Sequence, residues 1–164
     1  MVDWYTSDGA LMYEVMATTA SGHNDTCETS TANCDLAGLL CGQSYSVSVK
    51  AVGQTCNSIA HMTGRLVTPC IPKHITTQYS LTIGQVLWDT APGVDYYTVE
   101  GVTQQGLMVS CTSNETYCAL YNMVCGQIYS INVTANNHVC QGLSTSTEMV
   151  TITTPCPPND VQAS

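Results

Sequence analysis

The sequence predicts an all-β protein built from two tandem β-sandwiches, and three observations lead to this fold class. A pattern of cysteines occurs twice in the 164 residues, which marks two copies of one structural unit. Apolar residues alternate with polar ones at a period of two, as in strands that turn one face to a core. Turn-forming clusters separate these short strands, and no stretch shows the apolar stripe of a helix.

The cysteine repeat sets the domain boundaries. Four cysteines of the first half recur 84 positions later, and a fifth recurs after 86 positions. We therefore expect a first module at residues 1–70, a second module at residues 71–156, and the start of the first strand of a following module at residues 157–164. The pairs related by the repeat are Cys27 and Cys111, Cys34 and Cys118, Cys41 and Cys125, Cys56 and Cys140, and Cys70 and Cys156.

Composition and charge indicate the compartment of the protein and disfavour some classes of partner. Ten regularly spaced cysteines favour an oxidising compartment and hence a secreted, extracellular protein. Zinc sites usually contain a C-x-x-C pair, whereas the closest cysteines here are seven positions apart. The formal net charge is −9, with three Lys and Arg against twelve Asp and Glu. This balance disfavours nucleic acid and an anionic membrane surface as partners. No apolar run is long enough for insertion into a bilayer.

The clearest strand of each copy begins at a tyrosine. Every second residue is apolar from Tyr45 to Ala51, and the same alternation runs from Tyr129 to Ala135. Asn132 falls on the polar face of the second of these strands. It is one of three N-x-[ST] sequons that predict covalent N-glycans, polar cover for a chain with only 9% charged residues. The sequon asparagines are Asn24, Asn114 and Asn132.

The order of core residues in both copies resembles the fibronectin type III sandwich, an immunoglobulin-like fold. A Trp on an early strand precedes a Tyr on the next strand, Leu-x-x-Leu, and then Gly-x-x-Tyr-x-Val-x-Val-x-Ala. In copy two, Met123 replaces the second Leu and Ile131 the first Val. The matching residues are Trp4, Tyr13, Leu36, Leu39, Tyr45, Val47, Val49 and Ala51 in copy one, and Trp88, Tyr97, Leu120, Met123, Tyr129, Ile131, Val133 and Ala135 in copy two.

This resemblance implies two tandem fibronectin type III sandwiches stapled by disulfides. It also implies that Tyr45 and Tyr129 are tyrosine-corner residues, whose hydroxyl groups bond back to the preceding loop. Ordinary members of the family lack cysteines. The Cys-Gly-Gln-x-Tyr motif and the Thr-Pro-Cys ends of both copies resemble a cysteine-rich subgroup.

On such a sandwich, the cysteine before the strand that begins at Tyr45 or Tyr129 and the cysteine after the last strand lie at the same end, or pole, of the sandwich. We therefore expect Cys41–Cys70 and Cys125–Cys156 bridges. Bridges within the other close pairs would shut small loops. One cysteine per copy then has no assigned partner. It is free, or it replaces a member of a close pair in that pair's disulfide, or it forms a disulfide with another chain or module. The close pairs are Cys27 with Cys34 and Cys111 with Cys118, and the leftover cysteines are Cys56 and Cys140.

The two ends of the sequence do not coincide with the expected module boundaries. Seventeen residues (71–87) separate Cys70 from Trp88, whereas only three precede Trp4, so copy one lacks its first strand. Eight residues follow Cys156 and resemble the opening of another module. One interpretation is a segment of a longer covalent array. The other is that residues 157–164 of one chain complete copy one of the next by strand addition. Both predict neighbouring copies or modules in a head-to-tail array as partners.

The sequence therefore predicts a non-enzymatic extracellular structural protein, a glycosylated and disulfide-rich repeat segment of a linear fibre or tandem array. The alternative is an adhesion or receptor ectodomain module whose loops bind a protein or glycan ligand. No G-x-S-x-G or H-E-x-x-H motif occurs. We expect no catalytic residues, no bound cofactor and no metal.

Overall fold

The structure, a computed structural model, describes residues 1–80, 82–139 and 144–158. The chain divides into two compact units, Met1–Thr68 and Pro69–Ser164. The division falls two residues before the one expected from the sequence. The reason is that Cys70 packs against the core of the second unit and its N–H donates to the Pro92 carbonyl (2.9 Å). The described residues include no helix long and apolar enough to cross a membrane.

The first unit consists of two antiparallel sheets with a core between them. The larger sheet has the order β3-β2-β5-β6, and the smaller sheet pairs β1 with β4. Alternate residues of β2 and β5 point inward, as the period-two pattern predicts. The strands are β1 (Val2–Asp3), β2 (Met12–Thr19), β3 (Asn24–Thr29), β4 (Asn33–Cys34), β5 (Ser44–Val52) and β6 (His61–Val67).

The second unit repeats this arrangement with one additional strand in each sheet. Its larger sheet places β10, β9 and β12 side by side, and both β13 and β14 pair with β12. Its smaller sheet has the order β11-β8-β7. The strands are β7 (Thr76–Ser80), β8 (Ile83–Leu87), β9 (Tyr96–Thr103), β10 (Met108–Ser113), β11 (Tyr117–Leu120), β12 (Gln127–Asn136), β13 (Ser144–Thr145) and β14 (Val150–Thr154).

The register of β2 with β5 matches that of β9 with β12 residue for residue. Tyr13 pairs with Ala51 across β2 and β5, and Tyr97 pairs with Ala135 across β9 and β12. Among the described strands, β1 pairs only with β4, whereas its counterpart β8 pairs with both β11 and β7.

A carboxylate anchors the segment that leads into β7. The Glu148 side chain accepts hydrogen bonds from the backbone N–H groups of His74 (2.8 Å) and Ile75 (2.9 Å). Both bonds, that of Ile75 first, favour the charged form and lower the pKa of Glu148 below its ordinary value of 4.5. The Thr77 hydroxyl then donates to the Thr151 carbonyl (3.1 Å), so β7 is also tied to β14.

The two cores fill the same space with different pairs of side chains. In the first unit, Ala17 lies opposite Val47, and both are buried. In the second unit, Gly101 lies opposite Ile131 at the same position. A Cβ atom on Gly101 would lie 3.1 Å from Ile131 Cδ1 and 3.1 Å from Val109 Cγ2. The larger Ile therefore requires the smaller Gly, because protein cores are packed without room for another methyl group.

We predict that Gly101→Ala lowers the free energy of unfolding by about 1 kcal/mol through overpacking. Adding Ile131→Val should recover part of this loss, because the double variant recreates the Ala–Val pair of the first unit but leaves the contact with Val109. Chemical denaturation of the single and double variants measures both effects. A Gly101→Ala variant as stable as the wild type, or a double variant less stable than either single one, would contradict this account of the core.

Candidate functional site

The most elaborate polar site of each unit lies at the pole that carries the Cys-Gly-Gln-x-Tyr and Thr-Pro-Cys motifs, here called the stapled pole. A disulfide joins Cys125 to Cys156, with their Cα atoms 4.8 Å apart. Cys41 and Cys70, at the equivalent positions, are both disulfide-bonded. The Cys125–Cys156 bond fastens the loop before the central strand β12 to the segment that follows the last strand, β14.

A glycine next to the disulfide makes the turn at each stapled pole. Gly42 and Gly126 have φ values of 71° and 73°, a region that residues with a Cβ atom avoid. The turn points the Gly42 N–H at the Thr68 carbonyl (2.6 Å) and the Gly126 N–H at the Thr154 carbonyl. Cysteine, turn and final threonine thus form one hydrogen-bonded unit.

Tyr45 and Tyr129 occupy the tyrosine-corner position, and both side chains are fully buried. The Tyr45 hydroxyl accepts a hydrogen bond from the Leu40 N–H (2.8 Å), five residues earlier. The Tyr129 hydroxyl accepts one from the Val124 N–H (2.9 Å). Each hydroxyl satisfies a loop N–H that would otherwise lack a protein partner, and it fixes the loop against the core.

A threonine hydroxyl also bonds to the backbone of the same loop in each unit. This role was not predicted from the sequence. The Thr154 hydroxyl donates to the Val124 carbonyl (2.6 Å) and accepts from the Gln127 N–H (3.1 Å). In the first unit, the Thr68 hydroxyl donates to the Leu40 carbonyl (2.6 Å). The recurrence of Thr-Pro-Cys in both copies was the available signal, because a repeated threonine before a proline points to a fixed backbone contact.

A second tyrosine in each unit holds a different loop. The Tyr13 hydroxyl accepts from the Ser7 N–H (2.7 Å), and the Tyr97 hydroxyl accepts from the Ala91 N–H (2.9 Å). Their rings pack edge to face on the tryptophans of the fibronectin pattern, at centroid distances of 5.3 Å for Trp4–Tyr13 and 5.1 Å for Trp88–Tyr97.

The short-range disulfides have a larger structural role than the closure of a loop. Cys27–Cys34 and Cys111–Cys118 each bridge seven positions, with Cα separations of 6.5 Å and 6.3 Å. Cys27 lies on β3 of the larger sheet and Cys34 on β4 of the smaller sheet. Cys111 and Cys118 join β10 to β11 in the same way. These bonds therefore fasten the two sheets of each sandwich together.

The remaining predicted residues lie at the surface or outside the described residues. Cys56 is a free, exposed cysteine in the turn between β5 and β6. Its counterpart Cys140 lies outside the described residues. All three sequon asparagines are exposed. In the parts of the chain that the structure describes, no three His, Cys, Asp or Glu side chains are grouped closely enough to hold a metal ion.

The first unit adds a polar clasp that the second unit lacks. His23 Nδ1 lies 3.0 Å from the Tyr45 hydroxyl, which accepts from Leu40 and therefore has its own proton available for the imidazole. Asp25 accepts a hydrogen bond from the Gly38 N–H (2.7 Å), in the same loop. The second unit has Leu107 and Val109 at these positions; Val109 packs against the core, whereas Leu107 is exposed.

We predict that Thr154→Val lowers the free energy of unfolding by about 2 kcal/mol, because it keeps the side-chain volume and removes the hydroxyl from a fully buried site. Thr153→Val is the matched control, since Thr153 is an exposed neighbour on the same strand. Denaturant titration of both variants is the measurement. Equal stability of Thr154→Val and Thr153→Val would refute the role of the buried hydroxyl.

The amino-acid sequence of the chain is similar to those of known proteins. No family model matches the chain. It is 31% identical over 163 residues to fibronectin type III domain-containing protein 7 of Mus musculus, which covers 98% of this chain and 22% of that protein. The Homo sapiens protein of the same name is 32% identical over 161 residues, covering 96% of this chain and 21% of that protein. The chain thus spans about a fifth of the length of these curated relatives.

One solved structure that is similar to this chain is a two-domain fibronectin type III segment of chicken tenascin. Its sequence identity to this chain is 22% and its TM-score is 0.43, and the match covers 91% of this chain and 87% of that one. A second is the FN1–FN3 segment of chicken CNTN1, with 17% identity, a TM-score of 0.47 and coverage of 90% and 58%.

Fibronectin type III domains are extracellular-type modules, and disulfide staples suit an oxidising compartment. The strand order, the tyrosine corners and the disulfides agree with the sequence similarity. The chain is therefore a tandem pair of disulfide-stapled fibronectin type III sandwiches, similar over nearly its whole length to a segment of fibronectin type III domain-containing protein 7.

Proposed function

We propose that the chain is a non-enzymatic extracellular structural segment, in which stapled modules follow one another in a linear head-to-tail array. The observation that carries the proposal is the recurrence of the whole framework. Strand registers, sheet-to-sheet disulfides, stapled poles and loop-holding tyrosines all appear at equivalent positions in both units. Repeating a rigid frame is the physical requirement for a spacer, because each module then contributes a fixed length.

The length of the relatives supports an array. The chain matches only about a fifth of each fibronectin type III domain-containing protein 7 and fills that fifth with two modules. The proposed partners are therefore neighbouring modules or neighbouring copies of the chain. They join through a continuous chain or through strand addition at a sheet edge.

Glycosylation is part of the proposal. Asn24, Asn114 and Asn132 are exposed, so an attached glycan would not disturb either core. Asn132 lies in the middle of β12 with its side chain on the outer face of the sheet. N-glycans would supply polar cover to a surface that carries few charges.

We predict that native protein carries glycan mass on the peptides containing Asn24, Asn114 and Asn132. Peptide mass analysis before and after enzymatic removal of N-glycans is the measurement. Asn33 is the matched control, because it is exposed but lacks Ser or Thr two positions later. Native peptides unmodified at all three sequons would remove glycans from the proposal and leave the array intact.

We predict that native material forms linear assemblies with one module repeat along the axis, because equivalent frames joined head to tail recur at a fixed interval. Electron microscopy of native material is the measurement. Discrete native monomers without linear assemblies would instead favour the adhesion or receptor role.

A further inference from the structure

A groove occupies the same place on each unit, between the end of β2 or β9 and the start of the central strand, β5 or β12. Its volume is about 440 Å³ in the first unit and about 240 Å³ in the second. Residues related by the repeat line both grooves. Among them are Ser21, Gln43, Ser44 and Ser46 in the first unit, and Gln105, Gln127, Ile128 and Ser130 in the second.

The first groove differs from the second by a cation and by its hydroxyl groups. Cross-strand pairing places Arg65 beside Ser46, and Ser46 beside Thr18, so the three side chains form one row on the outer face of the sheet. The corresponding row of the second unit is Thr151, Ser130 and Val102. Arg65 therefore stands where the second unit has a threonine.

The polar side chains of the row in the first unit are not engaged by other described residues. Arg65 is exposed and forms no ion pair within the described part of the chain, and no acidic residue lines its groove. Lys50, by contrast, is paired with Glu14 (2.8 Å). The side chains of Thr18, Ser46 and Gln43 also make no hydrogen bond to any described residue, so their donors and acceptors face the groove or solvent.

We propose that the first groove binds an anionic saccharide, with its carboxylate or sulfate on Arg65 and its hydroxyl groups on Thr18, Ser46 and Gln43. A guanidinium presents two parallel N–H donors to an oxyanion, which gives geometric selectivity as well as charge. Hydroxyl and amide side chains exchange hydrogen bonds with sugar hydroxyls in both directions. One such charged pair with a few polar contacts supports a Kd on the order of 1 mM.

The sequon asparagine Asn24 affects the design of the test. It pairs with Thr18 and so ends the same row, roughly 14 Å from Arg65 at the usual spacing between strands. A glycan on Asn24 would stand beside the groove. The protein for the test is therefore the full chain produced without N-glycans and with its disulfides formed.

The test follows backbone amide shifts of ¹⁵N-labelled chain during titration with sialyllactose, sulfated lactose, neutral lactose and sodium sulfate. We expect saturable shifts at Gln43, Ser46 and Arg65 with both acidic sugars, and at least tenfold weaker binding of lactose. Arg65→Thr, which recreates the second unit, should abolish the response in a chain whose spectrum remains dispersed. Lys73→Gln changes the net charge equally outside this groove and should leave the response unchanged.

Three results would overturn the proposal. One is the absence of shifts in the groove with either acidic sugar. Another is retention of binding in Arg65→Thr, or equal loss in Lys73→Gln, since either would make the response independent of this side chain. The third is that sodium sulfate alone reproduces the shifts at the concentrations of the sulfated sugar, which would make the groove a site for inorganic anions. None of these results bears on the array, whose test is the imaging of native material.

Discussion

Each sandwich depends on the buried hydroxyl group that ties a loop to the start of the central strand. Tyr129 holds the Val124 N–H, and Thr154 holds the Val124 carbonyl, so both polar groups of one peptide position are satisfied inside the fold. The adjacent Cys125–Cys156 bond then makes this arrangement covalent. A native disulfide in a small secreted domain contributes about 2–5 kcal/mol, which is comparable to the whole stability of such a domain.

The sheet-to-sheet disulfides distribute the same constraint over the rest of each unit. Cys27–Cys34 and Cys111–Cys118 connect strands of different sheets, so the sheets are joined at a point away from the stapled pole. Small domains bury a limited fraction of their surface, and cross-links compensate for a limited core. With the frame fixed in this way, substitutions on the outer faces are tolerated, and the two units differ most there. Arg65 in place of Thr151 is one such difference.

The all-β class, the strand pattern and the tyrosine corners were predictable because each depends on local rules. Alternation of side chains along a strand is a property of the backbone, so Tyr45 to Ala51 is readable as a half-buried strand without knowledge of its neighbours. The roles of Thr68 and Thr154 were not predictable in this way. Their hydroxyl groups act on residues 28 and 30 positions away, and such contacts depend on how the strands assemble.

The sequence by itself determined the repeat, its cysteine framework and the core face of each long strand, because these are encoded by spacing along the chain. Only the tertiary structure decided which strands each short disulfide joins, that Gly101 must be small because Ile131 is large, and that Arg65, Ser46 and Thr18 form one row. Each of these depends on pairing between strands distant in sequence, and a shift of one residue in that pairing would turn the side chains to the opposite face.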